Sequence, residues 1–230
     1  LSEIPRGDRL AILTNGGGPG VMATDDLIEE GGQLAELSDG AVEALDRVLP
    51  PTWSRGNPVD IIGDAPGRRY REALEILFEE PEVDAVLAIN CPVAVASSTE
   101  AAQAVIDAVG ARPTRPLLLT AWLGDRGAED ARRRFSEHRI PTYDTPRQAV
   151  RAFMQVVTYT RNQELLMETP ASIPEEFAPD TETARAVLAS ALEAGRAGLT
   201  EPEAKRVLAA YGIPVAEART AATPDEAAEI

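Results

Sequence analysis

The sequence predicts an α/β protein built on a doubly wound parallel sheet. Two observations lead to this fold class. Apolar runs of strand length alternate with amphipathic runs of helical spacing over most of the 230 residues, and the first apolar run ends abruptly at a glycine-rich turn. Strands joined through helices pair in parallel and are covered by helices on both faces. Ligands of such sheets bind beyond the carboxyl ends of the strands, so the loops at that edge are the first candidates for a site.

The first strand and the first helix flank the glycine-rich turn. Residues 10–13 are a continuous apolar run, which is typical of a strand buried on both faces. Residues 21–29 follow helical spacing, and Gly31 with Gly32 ends the predicted helix. Between these two elements the chain reads Asn15, Gly16, Gly17, Gly18, Pro19 and Gly20.

The later elements continue the alternation. Strands are predicted at residues 33–37, 58–62, 83–89, 116–121 and 140–143. Helices are predicted after Ser38, at residues 69–78, after Ser97 or Ser98, in the arginine-rich segment after Gly124, and at residues 146–168. The loops at residues 15–20, 90–98 and 122–124 each follow a strand, so we expect them at one edge of the sheet.

A change of composition sets the last part of the chain apart. Residues 169–182 hold three prolines and several carboxylates without periodicity, which indicates a linker. Residues 184–194 resume a helical pattern, Thr200 with Glu203 forms a capping box, and Gly212 ends the helix that follows. We therefore predict one domain at residues 1–168, a linker and helix at 169–196, and the truncated start of a second domain at 197–230.

The charge and the cysteine content indicate which partners are disfavoured and which compartment is expected. The formal net charge of −16 disfavours nucleic acid and anionic membrane surfaces as partners. Cys91 is the only cysteine, so no internal disulfide can form, and a reducing cytoplasm is the simplest compartment. No segment approaches the ~18 apolar residues of a membrane helix. The chain lacks an initiating Met and stops inside a helical pattern, so we expect a piece of a longer protein.

The glycine-rich turn predicts an anion site. Glycines leave the backbone amides bare, and the amides and dipole at a helix start stabilise negative charge, so we expect a phosphate or phosphoryl group there. The alternative is a tight turn that binds no ligand. The predicted phosphate-binding residues are Asn15, Gly16, Gly17, Gly18, Gly20 and Val21.

Two familiar phosphate-binding loops fit this turn less well. A nucleotide P-loop needs a Lys after its second Gly, and the only lysine of the chain is Lys205. Gly18, Gly20 and Ala23 satisfy the dinucleotide pattern G-x-G-x-x-A, with Asp39 about 20 residues on. However, Pro19 lies inside that pattern, and Asp39 is explained as part of the next helix start.

Several single residues have a structural and a functional interpretation. Cys91 has no partnering His or acid nearby in sequence, so packing is favoured over a nucleophile. His138 is favoured as a solvated residue at a helix end, because no orienting neighbour is evident. Arg132, Arg133 and Arg134 are interpreted as a solvated face or a partner contact.

Supporting residues are predicted in two loops. Asn57 and Asp60 can hydrogen-bond a neighbouring loop or a ligand, or can stabilise a turn. Ser97 and Ser98 can serve as helix caps, or can place a second helix start at the same anion site. No metal-ligand spacing, serine-nucleophile elbow or pair of catalytic carboxylates stands out, so we assign no catalytic residue and no metal site.

Four segments together resemble the nucleotide-forming acyl-CoA synthetases, which are relatives of succinyl-CoA ligase. The segments, covering about residues 8–165, are LTNGGGPGVMATD, LPPTWSRGNPVDIIGDAPGRRYREAL, VDAVLAINCPVA and IPTYDTPRQAVRAF. The segment from Leu199 to the end is similar to the start of the ATP-grasp domain of single-chain members. The segment RNQELLMETPASIPEEFAPD, at residues 161–180, resembles the linker of members that are fused to a Gcn5-type acetyltransferase.

The resemblance implies a flavodoxin-like ligase domain whose glycine-rich helix start stabilises a phosphohistidine. It also places a secondary loop near the acyl-phosphate chemistry, formed by Cys91, Pro92, Val93 and Ala94. For the full-length protein it implies ATP or ADP with magnesium and CoA, none covalently bound, and its CoA-binding, phosphohistidine and ATP-grasp domains as partners. An oligomer is compatible with it.

The sequence departs from this family in what it lacks, which includes the CoA-binding domain and the catalytic body of the ATP-grasp domain. The Ser-His-Thr-Gly-like phosphohistidine motif is absent, and His138 does not match it. In the family that motif lies ahead of this region, so the fragment alone is not expected to be active. The alternative is a non-catalytic body that binds acyl-CoA within a protein lysine acetyltransferase.

Overall fold

The computed structural model describes residues 4–112, 114–167, 177–216 and 221–229. The chain divides into two compact units, Leu1–Glu168 and Thr169–Ile230. The predicted linker falls mostly outside the described residues. Within the described ranges, no helix is both long and apolar enough to cross a bilayer.

The first unit is organised around a six-stranded parallel sheet. Its strands lie in the order β2-β1-β4-β5-β6, and β3 pairs with the far end of β1. The strands are β1 (Arg9–Thr14), β2 (Gln33–Leu34), β3 (Val59–Asp60), β4 (Ala85–Asn90), β5 (Leu117–Trp122) and β6 (Thr142–Tyr143). This arrangement confirms the predicted doubly wound parallel sheet. Apart from β3, it has the flavodoxin-like order.

Helices cover both faces of the sheet. One face packs against α1 (Gly17–Glu29) and α6 (Pro146–Met167), and the other against α2 (Asp39–Val48), α3 (Gly67–Leu77), α4 (Ser98–Gly110) and α5 (Arg126–Glu137). Side chains alternate between the faces, as the two-residue period of a strand requires. Leu10 and Ile12 belong to the α1/α6 core, whereas Ala11 and Leu13 belong to the opposite core. Burial on both faces explains why these strands read as continuous apolar runs.

The strands β2 and β3 are each only two residues long, shorter than the sequence predicts. The reason is a side chain that takes the place of a strand between them. The Asn57 Oδ1 atom accepts the Ile12 N–H at 2.9 Å, and Asn57 Nδ2 donates to the carbonyls of Leu10 and Ala35, each at 2.9 Å. The middle of the β1 edge is thereby satisfied without a continuous neighbouring strand.

The second unit contains α7 (Thr181–Glu193), α8 (Glu201–Ala210) and α9 (Pro224–Glu229). The helix α7 begins three residues before the predicted start, because the Asp180 carboxylate caps it by accepting the Thr183 N–H at 3.0 Å. The capping box of α8 is present as predicted, with the Glu203 carboxylate accepting the Thr200 N–H at 2.8 Å. Gly212, at φ 73°, ends this helix.

Replacing Asn57 tests its role in the sheet. We expect Asn57→Ala to lower the free energy of unfolding of the first unit by about 2–4 kcal/mol, because the Ile12 N–H and the Ala35 carbonyl lose their partner. Urea unfolding followed by tryptophan fluorescence measures this, since Trp53 and Trp122 are both buried in the first unit. The exposed Asn162→Ala change on α6 is the control and should cost less than about 0.5 kcal/mol. An equal loss in both variants would contradict the role.

Candidate functional site

The candidate site lies where the strand order reverses. The strands β1 and β4 are neighbours, paired from Leu10 with Ala85 to Thr14 with Ile89. The glycine-rich turn follows β1 and the loop containing Cys91 follows β4, so the two loops leave the sheet side by side. In open parallel sheets this reversal point at the carboxyl edge opens a crevice for ligands.

The side chain of Asn15 joins these two loops. Its Nδ2 donates to the Cys91 carbonyl at 3.0 Å, and its Oδ1 accepts the Cys91 N–H at 2.7 Å. Asn15 is buried, so both bonds are shielded from water. Asn15 therefore holds the turn in place, because its amide is engaged with the backbone of the neighbouring loop.

The glycine-rich turn keeps two backbone donors open. The Gly16 N–H donates to the Thr14 hydroxyl at 3.0 Å, and the Gly20 N–H donates to the Gly16 carbonyl at 3.3 Å. In contrast, no acceptor within the described part of the chain is bonded to the amide nitrogen of Gly17 or Gly18. The helix α1 also has no side-chain cap and no acidic residue in its first turn. Its N-terminal end therefore presents two exposed N–H groups.

Two glycines of the turn are required by close packing. A Cβ on Gly16 would lie 2.5 Å from Cys91 Sγ, and a Cβ on Gly20 would lie 3.0 Å from Thr14 Cγ2. A side chain at position 16 would overlap the Cys91 sulfur, and one at position 20 would require Thr14 to shift. A Cβ on Gly18 would meet nothing within 4 Å, so the space outside this part of the turn is open. Val21 follows in α1 with an exposed side chain.

Cys91 packs beneath the turn as a neutral thiol. Burial raises the pKa of the Cys91 thiol above its ordinary value, the neighbouring Thr14 hydroxyl opposes the shift, and the charge of Asp60 adds to it. A thiol with a raised pKa carries little thiolate at neutral pH. This geometry supports packing rather than nucleophilic attack.

Asp60 places a carboxylate beside the turn. Its Oδ1 accepts the Ile62 N–H at 2.9 Å, and the Asp60 N–H donates to Ser54 Oγ at 2.9 Å. The other oxygen, Oδ2, lies 3.1 Å from the position that a Cβ on Gly17 would occupy. Asn57 is placed differently, because its amide is engaged by three backbone groups inside the sheet.

The start of α4 carries a side-chain cap from the protein itself. The Ser97 hydroxyl accepts the Glu100 N–H at 3.2 Å, so Ser97 is the cap and Ser98 begins the helix. Glu100 also places a carboxylate in the first turn. The amide nitrogens of Ser98 and Thr99, like those of Gly17 and Gly18, have no bonded acceptor within the described residues, so α4 differs from α1 in its side-chain cap and in the carboxylate of Glu100, which disfavours an anion. The loop before it exposes Pro92, Ala94 and Val95 to solvent, and Val93 forms a bridge to Ala96.

A buried cluster of polar and aromatic side chains packs at the carboxyl edge of the sheet. The Tyr70 hydroxyl donates to the Ile89 carbonyl and accepts from Asn90 Nδ2, both at 3.0 Å. Trp122 Nε1 donates to the Ser98 carbonyl at 2.9 Å, and the Trp122 ring packs edge-on against Phe135 at 4.7 Å. Burial raises the pKa of Tyr70, which keeps its hydroxyl neutral. Sequence reasoning missed this cluster because its members are far apart in the chain.

Thr14 was also missed. Its hydroxyl accepts the Gly16 N–H and donates to the Gly16 carbonyl at 2.9 Å. The available signal was a Thr at the last position of a buried strand, directly before a glycine turn, where a hydroxyl can close a local hydrogen-bonded loop.

Several other sequence candidates lie outside the site. His138 is exposed at the end of α5, with Nδ1 2.8 Å from the Arg134 carbonyl, which confirms the predicted solvated helix end. The prediction for the arginine run was wrong for two of its members. Arg132 bonds to the Gly124 carbonyl and to Asp144, and Arg134 donates to Gln103 Oε1 at 2.9 Å. The bond of Arg132 to Gly124 holds the loop between β5 and α5, and the bond of Arg134 to Gln103 joins α5 to α4.

The dinucleotide pattern and a metal site gain no geometric support. Asp39 begins α2 directly after Ser38, whose hydroxyl caps the helix by accepting the Ala41 N–H at 3.1 Å. Among the residues that the structure describes, no group of three or more His, Cys, Asp or Glu side chains could hold a metal ion.

Comparison with protein families identifies both parts of the chain. Residues 10–167 match the Ligase-CoA domain, and residues 190–230 match the ATP-grasp domain. The first match covers the sheet from the second residue of β1 to the end of β6.

Relatives of known activity agree with this assignment. The chain is 35% identical over 162 residues to the alpha subunit of acetate–CoA ligase [ADP-forming] II of Pyrococcus furiosus, spanning 69% of this chain and 35% of that protein. It is 32% identical over 232 residues to acetate–CoA ligase [ADP-forming] I of Archaeoglobus fulgidus, spanning 100% of this chain and 32% of that protein. The chain thus spans about a third of the length of these relatives.

Solved structures give the same result. The dinucleotide-forming acetyl-coenzyme A synthetase 1 of Ca. Korarchaeum cryptofilum matches with a TM-score of 0.69 and 30% identity, over 74% of this chain and 37% of that one. The same synthetase in complex with phosphate and ADP matches equally well. The parallel sheet, the glycine-rich start of α1 and these similarities together show that the chain belongs to the Ligase-CoA domain family of the ADP-forming acyl-CoA ligases, followed by the start of an ATP-grasp domain.

Proposed function

We propose that this domain holds a phosphoryl group, carried on a histidine of another domain, during catalysis by a full-length ADP-forming acyl-CoA ligase. The observation that carries the proposal is the pair of open amides at Gly17 and Gly18, at the start of α1 and at the reversal point of the sheet. Phosphoryl oxygens accept hydrogen bonds from such amides, and the helix dipole adds about half a positive charge at the same end.

The domain acts by binding rather than by covalent chemistry. Phosphoryl transfer depends mainly on positioning and on electrostatic stabilisation, which fixed backbone donors supply without reorganisation. In this role Asn15, Gly16, Gly20 and Val21 shape the turn around the two donors. The secondary loop of Cys91, Pro92, Val93 and Ala94, with the helix start at Ser97 and Ser98, borders the site. Asn57 and Asp60 support β1, the strand that leads into the turn.

The histidine must come from elsewhere in the full-length protein. His138 is at the end of α5, where the chain is about to enter β6, and therefore at the amino edge of the sheet, opposite the glycine-rich turn. The other domains of the polypeptide are the partners that bring the phosphohistidine, the acyl-CoA and the nucleotide.

The names of the relatives set the reaction class. They are ADP-forming ligases of acetate and CoA, and one solved relative is described as a complex with phosphate and ADP. We infer that the full-length protein interconverts an acid, ATP and CoA with acyl-CoA, ADP and phosphate, in the cytoplasm, with magnesium serving the nucleotide. The described residues provide no metal-ligand cluster, so no step on this domain is assigned to a metal.

A pair of variants at Gly17 tests the proposal. Gly17→Pro removes the N–H, and proline suits the first position of a helix after an extended Gly16 at φ −147° and ψ 116°. Gly17→Ala adds a comparable Cβ and keeps the N–H. In the full-length protein we expect the proline variant to bind inorganic phosphate about tenfold more weakly than the alanine variant, because one charge-assisted hydrogen bond is lost. Isothermal titration calorimetry measures the difference.

Labelling gives the second measurement for the same variants. Full-length protein incubated with γ-labelled ATP should carry acid-labile label on a histidine, and the label should be less stable in Gly17→Pro than in Gly17→Ala. Equal phosphate affinity and equal label stability in the two variants would overturn the proposal. Phosphate binding without any histidine label would instead support the non-catalytic regulatory role.

The reactivity of Cys91 tests whether the domain contributes a nucleophile. Because burial raises the pKa of its thiol, we expect labelling of Cys91 by an aromatic disulfide reagent at pH 8 to be at least about tenfold slower in the folded protein than in urea. The rate should rise only as the pH passes the ordinary range of a thiol. In a full-length protein with further cysteines, peptide mapping isolates the Cys91 signal. Rapid labelling of folded protein at pH 7 would show that Cys91 is an activated thiolate.

A further inference from the structure

An unpaired carboxylate stands at the mouth of the proposed phosphoryl site. Asp60 Oδ2 lies 3.1 Å from the Cβ position of Gly17, whose N–H is one of the two open donors. An anion bound by these amides would therefore lie close to a second negative charge. Sites built for tight anion binding place Arg or Lys beside the backbone donors instead.

The position of this carboxylate is constrained. Asp60 is the last residue of β3, whose pairing with the end of β1 holds its backbone. The Ile62 N–H binds Oδ1 and Ser54 Oγ accepts the Asp60 N–H, both at 2.9 Å. With one oxygen engaged by its own loop, the other remains turned toward Gly17.

No cation neutralises Asp60 within the described ranges. Other shielded carboxylates of this unit are paired: Asp84 with Arg9 at 2.8 Å, and Asp8 with Arg161 at 2.8 Å. Asp64, four residues after Asp60, is paired with Arg69 at 2.6 Å. Asp60 thus has no paired cation within the described ranges at the place where an anion is expected to bind.

The charge of Asp60 reaches the surrounding groups. It contributes to raising the pKa of both the Cys91 thiol and the Tyr70 hydroxyl, although burial is the main cause for each. Cys91 lies against Gly16 of the turn, so the same charge acts on an anion bound there. Because Asp60 lies close to the open amides, its negative charge repels an anion that those amides bind.

We propose that Asp60 keeps the hold of this site on phosphate and phosphoryl groups weak, so that the group is released and passed on rather than retained. The inference rests on the proposed function of the glycine-rich turn. Amides and dipole attract the anion, and Asp60 opposes part of that attraction. A group that must move between two active sites in each turnover requires such a balance, because tight ground-state binding slows the steps that follow.

Asp60→Asn in the full-length protein tests the inference. The asparagine retains an oxygen for the Ile62 N–H and removes the charge. We expect the dissociation constant for inorganic phosphate to fall about tenfold, equivalent to about 1.4 kcal/mol. In the reaction that consumes acyl-CoA, ADP and phosphate, KM for phosphate and kcat should both fall. A residue with a merely structural role would not tighten binding.

Two further variants control for side effects. Asp60→Ala removes the charge without adding a donor, so tighter binding in both Asp60 variants would assign the effect to charge. Asp130→Asn makes the same change of net charge on the exposed surface of α5 and should leave the affinity within about twofold of the parent protein. Thermal unfolding of each variant verifies that it is folded.

The outcomes separate this inference from the proposed function. Unchanged or weaker phosphate binding in folded Asp60→Asn, while Gly17→Pro still weakens binding, would overturn the role of Asp60 alone. If Gly17→Pro has no effect in either background, the phosphoryl site itself is wrong. If Asp60→Asn binds phosphate more tightly while folded Asp60→Ala has the affinity of the parent protein, the gain comes from a new hydrogen bond and not from the loss of repulsion. That result would also overturn the inference.

Discussion

The parallel pairing of β1 with β4 is the constraint on which the rest of the structure depends. This pair lies at the centre of the sheet and is buried on both faces. The order of the strands reverses between β1 and β4. Because both strands run in the same direction, the glycine-rich turn and the loop at Cys91 leave the sheet together. The double hydrogen bond between Asn15 and Cys91 then holds the two loops in contact.

Next to this pair of strands, side chains make hydrogen bonds to backbone groups where no neighbouring strand is present. Asn57 satisfies the outer edge of β1 between the short strands β2 and β3. Thr14 closes the first bonds of the glycine-rich turn, and the Tyr70–Asn90 pair supports the end of β4. These internal bonds leave the two amides of Gly17 and Gly18 open, so the open donors belong to a turn that is otherwise fixed.

The proposed site depends on short-range forces in a strongly acidic chain. A net charge of −16 repels anions at a distance, whereas backbone amides and a helix dipole act only within the first turn of α1. Asp60 adds a negative charge that repels anions within the site itself. Selective binding of a phosphoryl group delivered by a neighbouring domain fits this combination better than capture of a free anion from solution.

The sequence by itself determined the order of strands and helices, the helix start at the glycine-rich turn, the capping box at Thr200 and the place of His138, because periodicity, glycine and capping residues act over a few neighbouring positions. Only the tertiary structure decided that β2 and β3 are short, that Arg132 holds a loop while Arg134 joins α5 to α4, and that Asp60 faces Gly17. Each of these depends on residues that are distant in sequence and are brought together by the sheet. A local pattern carries no information about such partners.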